Sequence, residues 1–159
     1  MTALTPDETI LGLIAIQTCH GYELVETFSN SSELGDIWKM STSQIYSVLK
    51  RLERQELIIG QVIESDNAPS RTEYHLTLSG RQRLEVWLHD PEPSASIRRI
   101  RVEFLSRLYI ARQLKIPTIP IVLRQRRVCE AEHEQMLEVL KTKESGVGYL
   151  ANELVIAQL

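Results

Sequence analysis

"MSTSQIYSVLKRLERQELI", residues 40–58, has two sides that ask for different surroundings. At 100° per residue, Ile45, Val48, Leu49 and Leu52 line one side of a helix, and Ser43, Tyr46, Ser47, Lys50 and Arg54 the other. Ser41 is placed to cap the first turn, and Gln44 three residues on completes a capping box. The apolar side predicts a helix docked on a core. The polar side gathers small hydroxyls, a tyrosine and cations.

Charge distribution makes that side stand out. The net charge of −3 by itself argues against nucleic acid as a partner. Residues 1–89, however, hold seven Lys/Arg against twelve Asp/Glu, whereas 90–159 hold eleven against nine. Of the seven, Lys39, Lys50, Arg51 and Arg54 crowd into this segment and Arg71 follows soon after; only Arg81 and Arg83 lie elsewhere. An acidic region has concentrated its positive charge.

Upstream, "TPDE" (5–8) reads as a helix start with Thr5 as N-cap, Pro6 in the first turn and Glu8 closing a capping box, for a helix over 6–18. "HG" (20–21) breaks it, with Gly21 expected to take a backbone angle that other residues resist. A short helix over 22–28, a polar connection over 29–35 and Trp38 as a core anchor follow. Downstream, 57–65 and 71–77 read as strands around a "DNAPS" turn (66–70), and Thr77 caps a fourth helix buried along Leu84, Trp87 and Leu88. "DPEPSAS" (90–96) is a linker, since its prolines stop that helix.

Beyond the linker the pattern predicts helices over 97–115, 121–144 and 147–158. Ile97, Ile100, Phe104, Leu108 and Ala111 share a face of the first; Val122, Arg126, Cys129, His133, Met136 and Leu140 recur at 3–4 spacing on the second. About 60 residues in three helices make a poor free-standing core, so this half is expected to pair with a second copy. The expected dimer contacts are Ile97, Ile100, Phe104, Leu108, Val122, Cys129, Met136 and Leu140. Helix–helix–helix–strand–strand–helix is the winged helix-turn-helix order. The expected fold is therefore mainly α: a winged helix-turn-helix domain at 1–89, a linker at 90–96 and a helical dimerisation domain at 97–159.

"ILGLIAIQTCHGYELVETF" (10–28), the opening segment and "RTEYHLTLSGRQRLEVWL" (71–88) together resemble the PadR family of bacterial transcriptional regulators. The marks are His20-Gly21-Tyr22-Glu23 after the first helix, a serine-started third helix with Tyr46 followed by Leu49-x-Arg51-Leu52, and Tyr74-x-Leu76-Thr77 closing the wing. "FLSRLYIARQL" (104–114) before a longer helix is similar to the dimerisation region of the family's larger members. The resemblance implies a homodimeric repressor of promoter DNA that answers to a small-molecule effector, with the third helix in the major groove and the wing beside it. The family's wing usually carries a denser basic cluster than Arg71-Thr72-Glu73.

The expected DNA contacts are Lys39, Ser41, Thr42, Ser43, Gln44, Tyr46, Ser47, Lys50 and Arg54, with Arg71 and Thr72 from the wing. Slim side chains and free amides at a helix tip suit a groove about 12 Å wide, and cations further along reach phosphates or a guanine edge. The alternative is a winged-helix module whose third helix binds a protein instead. Trp38, Trp87, Phe104 and Tyr109 could line an aromatic effector pocket, although core packing is the commoner use of such residues. Glu130 and His133 have the spacing of bundle metal sites but lack companions, so no metal or other cofactor is expected. No phosphate loop, nucleophile elbow or zinc spacing is present, and no enzyme is expected. Two cysteines, Cys19 and Cys129, make no disulfide framework. No Lys or Arg precedes Lys39, and the longest apolar run (10–16) is far short of the ~20 residues that cross a bilayer. A cytoplasmic home is expected.

Overall fold

The computed structural model describes residues 4–30, 34–65, 68–142 and 146–159. Asp66 and Asn67 of the expected turn, 31–33 of the polar connection and the last residues of the expected 121–144 helix lie outside the described residues. The order is α1 (Asp7–Ile16), β1 (Cys19–His20), α2 (Gly21–Ser29), a 3-10 turn (Leu34–Asp36), α3 (Thr42–Arg54), β2 (Ile58–Ser65), β3 (Ala68–Leu76) and α4 (Leu78–Leu88). Then α5 (Ile97–Arg99), a π turn (Ile100–Phe104) and α6 (Leu105–Gln113) follow one another directly, before α7 (Ile119–Thr142) and α8 (Val147–Ile156). The mainly helical class, with a winged helix-turn-helix first and helices after it, is the one expected.

Both expected caps around the wing form. Ser41 Oγ accepts from Gln44 N at 3.3 Å while Ser41 N donates to Gln44 Oε1 at 2.8 Å, and Thr77 Oγ1 accepts from Gly80 N at 3.0 Å. The wing is a three-stranded antiparallel sheet in the order β1-β3-β2. β1 pairs Cys19 with Tyr74 and His20 with Glu73; two residues are too few to show alternation, so the sequence gives no sign of it. β3 begins earlier than expected, which puts Arg71 inside the strand opposite Ile63 rather than at the wing tip.

One core runs through the winged half and on past residues 90–96. Ile10, Leu11, Leu24, Leu34, Ile45, Leu49, Leu52, Ile58 and Leu88 are buried together with Ile110, Ala111 and Ile121. Each large aliphatic buried in this way stabilises by roughly 1.5–3 kcal/mol. Gly12 allows α6 to approach α1: a Cβ there would lie 2.5 Å from Ile110 Cγ2. The sequence offered no hint of that cross-packing.

Several expectations are corrected. Thr5 does not cap α1, which has Pro6 at the N-cap position and no side-chain cap; the Glu8 carboxylate instead accepts from Arg83 Nε at 3.1 Å and Nη2 at 2.8 Å. Gly21 holds no left-handed backbone angle, and neither does any other described glycine. The residues that do are Glu56 (φ 56°) and Lys115 (φ 59°), just past the ends of α3 and α6. Beside these corrections, Phe104 and Leu108 pack partly buried on this chain's own core.

Arg107 on α6 ties the halves together. It is 2% exposed, with Nη2 3.1 Å from Glu103 and 3.5 Å from Asp90, and its guanidinium carbon 5.2 Å from the centre of the Trp87 ring. Burial lowers its pKa and the two carboxylates oppose that. A buried arginine inside an apolar repeat has no signature in hydropathy.

Candidate nucleic-acid interface

α3 divides as its sequence predicts. Ile45, Val48, Leu49 and Leu52 are buried, while Ser41, Thr42, Ser43, Gln44, Tyr46, Ser47, Lys50 and Arg54 are exposed, as is Lys39 just before the helix. Gln44 gives its carbonyl oxygen to the cap, so it has its amide NH2 to offer a duplex. Ser47 Oγ donates to Ser43 O at 2.8 Å, which leaves it an acceptor. Ser41 and Ser43 hydroxyls lie 3.0 Å apart.

The cations separate into two kinds. Arg51 is turned to the flank of α3 and is held by Asp7, itself 3% exposed, with Arg51 Nε 3.1 Å from Asp7 Oδ2. Arg83 of α4 reaches Asp7 at 3.9 Å and Glu8 at 2.8 Å. These two fasten α1, α3 and α4 together. Lys39, Lys50, Arg54, Arg71 and Arg81 make no ion pair among the described residues. Arg51 therefore leaves the cationic face that its neighbours in sequence share. Its position three residues after Val48, on the margin of the buried stripe, is why the helical projection left it off the outward side.

The far end of α3 is tied to the wing, where Glu53 Oε1 accepts from Gly60 N at 3.1 Å. On the wing Arg71 is exposed and Thr72, opposite Val62, is half-buried. His20 Nδ1 donates to Thr72 O at 3.1 Å, and its backbone N donates to Glu23 Oε2 at 2.6 Å, so the start of α2 is pinned to the sheet. Tyr46 is 40% exposed, and its ring lies over the start of α2 at Gly21.

The four aromatics expected around an effector are dispersed. Tyr109 lines a cavity of about 220 Å³ between α1, α2 and α6. Trp38 lines another beside α3, Phe104 is packed beside Arg107 with no room for a water, and Trp87 lies beneath the Arg107 guanidinium. Trp38 is held by its indole N–H, which donates to Ser106 Oγ at 2.8 Å. Of the expected dimer contacts, Ile97, Ile100, Cys129, Met136 and Leu140 are half-buried and Val122 is exposed. Glu130 is 2.6 Å from Arg126, which takes up one carboxylate of the Glu-x-x-His pair. Among the described residues no helix is long and apolar enough to cross a membrane.

A buried helix pair, a third helix with a polar outer face, a three-stranded wing and long helices appended behind define a winged helix-turn-helix protein of the extended kind. Residues 10–86, the winged half, belong to the family described as "Transcriptional regulator PadR-like family", a family of transcriptional regulators rather than enzymes. The "Negative transcriptional regulator PadR" of Bacillus subtilis (strain 168) is 33% identical over 102 residues, 63% of this chain and 53% of that protein. The chain spans about half the length of the curated relatives it matches. Among solved structures, Bacillus subtilis PadR in complex with operator DNA aligns with a TM-score of 0.51 at 22% identity, over 96% of this chain and 88% of that one. A Streptococcus mutans UA159 protein aligns with a TM-score of 0.51 at 23% identity, over 98% and 92%. At such identities the likeness concerns the fold, appended helices included.

Proposed function

We propose that the protein is a sequence-specific DNA-binding transcriptional regulator, a cytoplasmic homodimer that represses by occupying promoter DNA and answers to a small-molecule effector. One observation carries the reading: on α3 the paired Arg51 is turned to the flank, while Lys50 and Arg54 remain exposed and, among the described residues, without a carboxylate partner beside a capped, hydroxyl-rich helix tip. Cations without protein partners, next to free amides, are what a phosphate backbone requires. Lys39, Ser41, Thr42, Ser43, Gln44, Tyr46, Ser47, Lys50 and Arg54 form the groove-facing set, with Arg71 and Thr72 flanking from the wing. The operator complex of the Bacillus subtilis protein supports this for a chain of like fold, and the word "negative" in its relative's name supports repression.

Residues 1–89 form the DNA-binding unit, and 97–159 the unit that pairs two copies so that their recognition helices address half-sites about one helical turn apart. An aromatic effector would act by favouring one separation of those helices over another; Tyr109, at a cavity between the two units, is our candidate contact. The test is a gel shift with the DNA upstream of the protein's own gene. Lys50→Ala or Arg54→Ala should weaken binding by about 1–3 kcal/mol if the side chain reads a base; a phosphate contact should lower the salt slope by about one. Unchanged affinity in both would return the face of α3 to a protein partner.

A further inference from the structure

We infer that Gly21 is a positioning residue for the DNA-reading face: the space left by its missing side chain is the seat of the Tyr46 ring. The inference rests on the proposed role of α3 and adds to it a residue on another element. Gly21 opens α2 with an ordinary backbone angle, so conformational freedom does not account for it. An ordinary backbone angle would suit alanine as well, so some other demand must hold glycine there.

Geometry supplies that demand. A Cβ on Gly21 would lie 2.6 Å from Tyr46 Cε1 and 2.9 Å from both its Cζ and its hydroxyl oxygen. These three nearest atoms all belong to one side chain on the outer face of α3. The seat is itself rigid. His20 and Tyr22, on either side of Gly21, stack at 5.6 Å with 13° between their planes, and His20 is fastened to the wing through Thr72 O. A ring that would otherwise turn freely thus stands in one place, with its ordering completed before a duplex arrives. A methyl group at residue 21 would move the end of a flexible side chain rather than any backbone. Its effect should fall on DNA recognition and spare the fold.

The test is a four-corner cycle of the wild type, Gly21→Ala, Tyr46→Ala and the double variant, with Lys50→Ala as a control. Each full-length protein is titrated with the DNA upstream of its own gene and with a random duplex of equal length, and each is unfolded in urea. Gly21→Ala should keep its urea midpoint and its binding to the random duplex, yet bind the upstream DNA about fivefold more weakly or worse. In the Tyr46→Ala background the same substitution should change nothing. Should Gly21→Ala unfold, the double variant, which lacks the clashing ring, must fold and bind like Tyr46→Ala. The inference is overturned if Gly21→Ala binds like the wild type while Lys50→Ala is weakened, if its penalty persists without the Tyr46 ring, or if the double variant also unfolds. If Lys50→Ala and Tyr46→Ala both bind like the wild type, the role of α3 falls and the seat falls with it.

Discussion

The winged half and the α7–α8 pair use apolar residues in opposite ways. In the first, each helix packs an apolar face within the chain, α1 on α6, α2 and α3 on the sheet and α4 over α1, although Ile59, Val62, Leu78 and Val86 stay exposed. In the second, Ile119, Val122, Leu123, Leu137 and Val139 on α7 and Val147, Leu150 and Leu154 on α8 stay exposed, and α8 has no buried residue at all among those described. The first half closes a core; the second is half of one. Exposed apolar residues on two adjacent helices are what the proposed pairing of two copies would cover, and the contrast can be attacked from either side.

The largest effect is expected inside the closed core. Leu49→Ala, at a fully buried position on α3, should cost about 2–5 kcal/mol in urea unfolding. The same leucine-to-alanine change at Leu154 on α8 should cost the monomer almost nothing. Equal losses at the two positions would erase the contrast.

Cys19 gives a pH-dependent version of the same comparison. Burial, with smaller contributions from Glu23 and Glu73, pushes its thiol from 9 up to about 12. The folded state therefore keeps a proton that the unfolded chain releases. Its advantage is complete below pH 9 and is lost as pH rises toward 12, at up to about 1.4 kcal/mol per pH unit. Between pH 9 and 11 the wild type should lose stability faster than Cys19→Ala, measured by urea midpoints at each pH. Parallel curves would mean that water reaches the thiol.

On the open half, Leu137→Glu or Leu154→Glu places a charge on an exposed apolar stripe. Sedimentation equilibrium should show self-association weakened by about tenfold or more, roughly 1.4 kcal/mol. Unfolding of the dissociated chain should be unaffected. Unaltered association would move the interface elsewhere.

What could be read in advance follows the same division. α3 was legible because one stripe of four aliphatics and one capping box agree on register, and its outer face followed from that. β1 was not, because two residues carry no period. Arg51 was counted in the charge cluster but left out of the contact set; its partner Asp7, on another helix, was what the sequence could not name. Gly21 was credited with backbone freedom, the usual reason for a glycine between helices, when the cause was a ring arriving from α3. For Phe104 and Leu108 periodicity named a face without saying that part of it packs on this chain's own core. Errors of this type are tertiary: each needs to know what lies across a gap in sequence.

The smallest effect concerns the tip of α3, where closed core and open surface meet. Ser41 Oγ accepts from Gln44 N at 3.3 Å, a long contact, and shares its hydroxyl with Ser43 and with Gln44 Oε1. Ser41→Ala should therefore cost about 1 kcal/mol or somewhat less, a melting shift of roughly 2–4 °C. The reciprocal bond from Ser41 N to Gln44 Oε1 does not use the serine side chain and can survive the change. Removing the other arm, Gln44→Ala, should cost a similar amount. If Ser41→Ala instead lowered stability as much as Leu49→Ala, the cap would be holding the core rather than trimming its edge. The division of α3 into a packed side and a free side would then be wrong at its first turn.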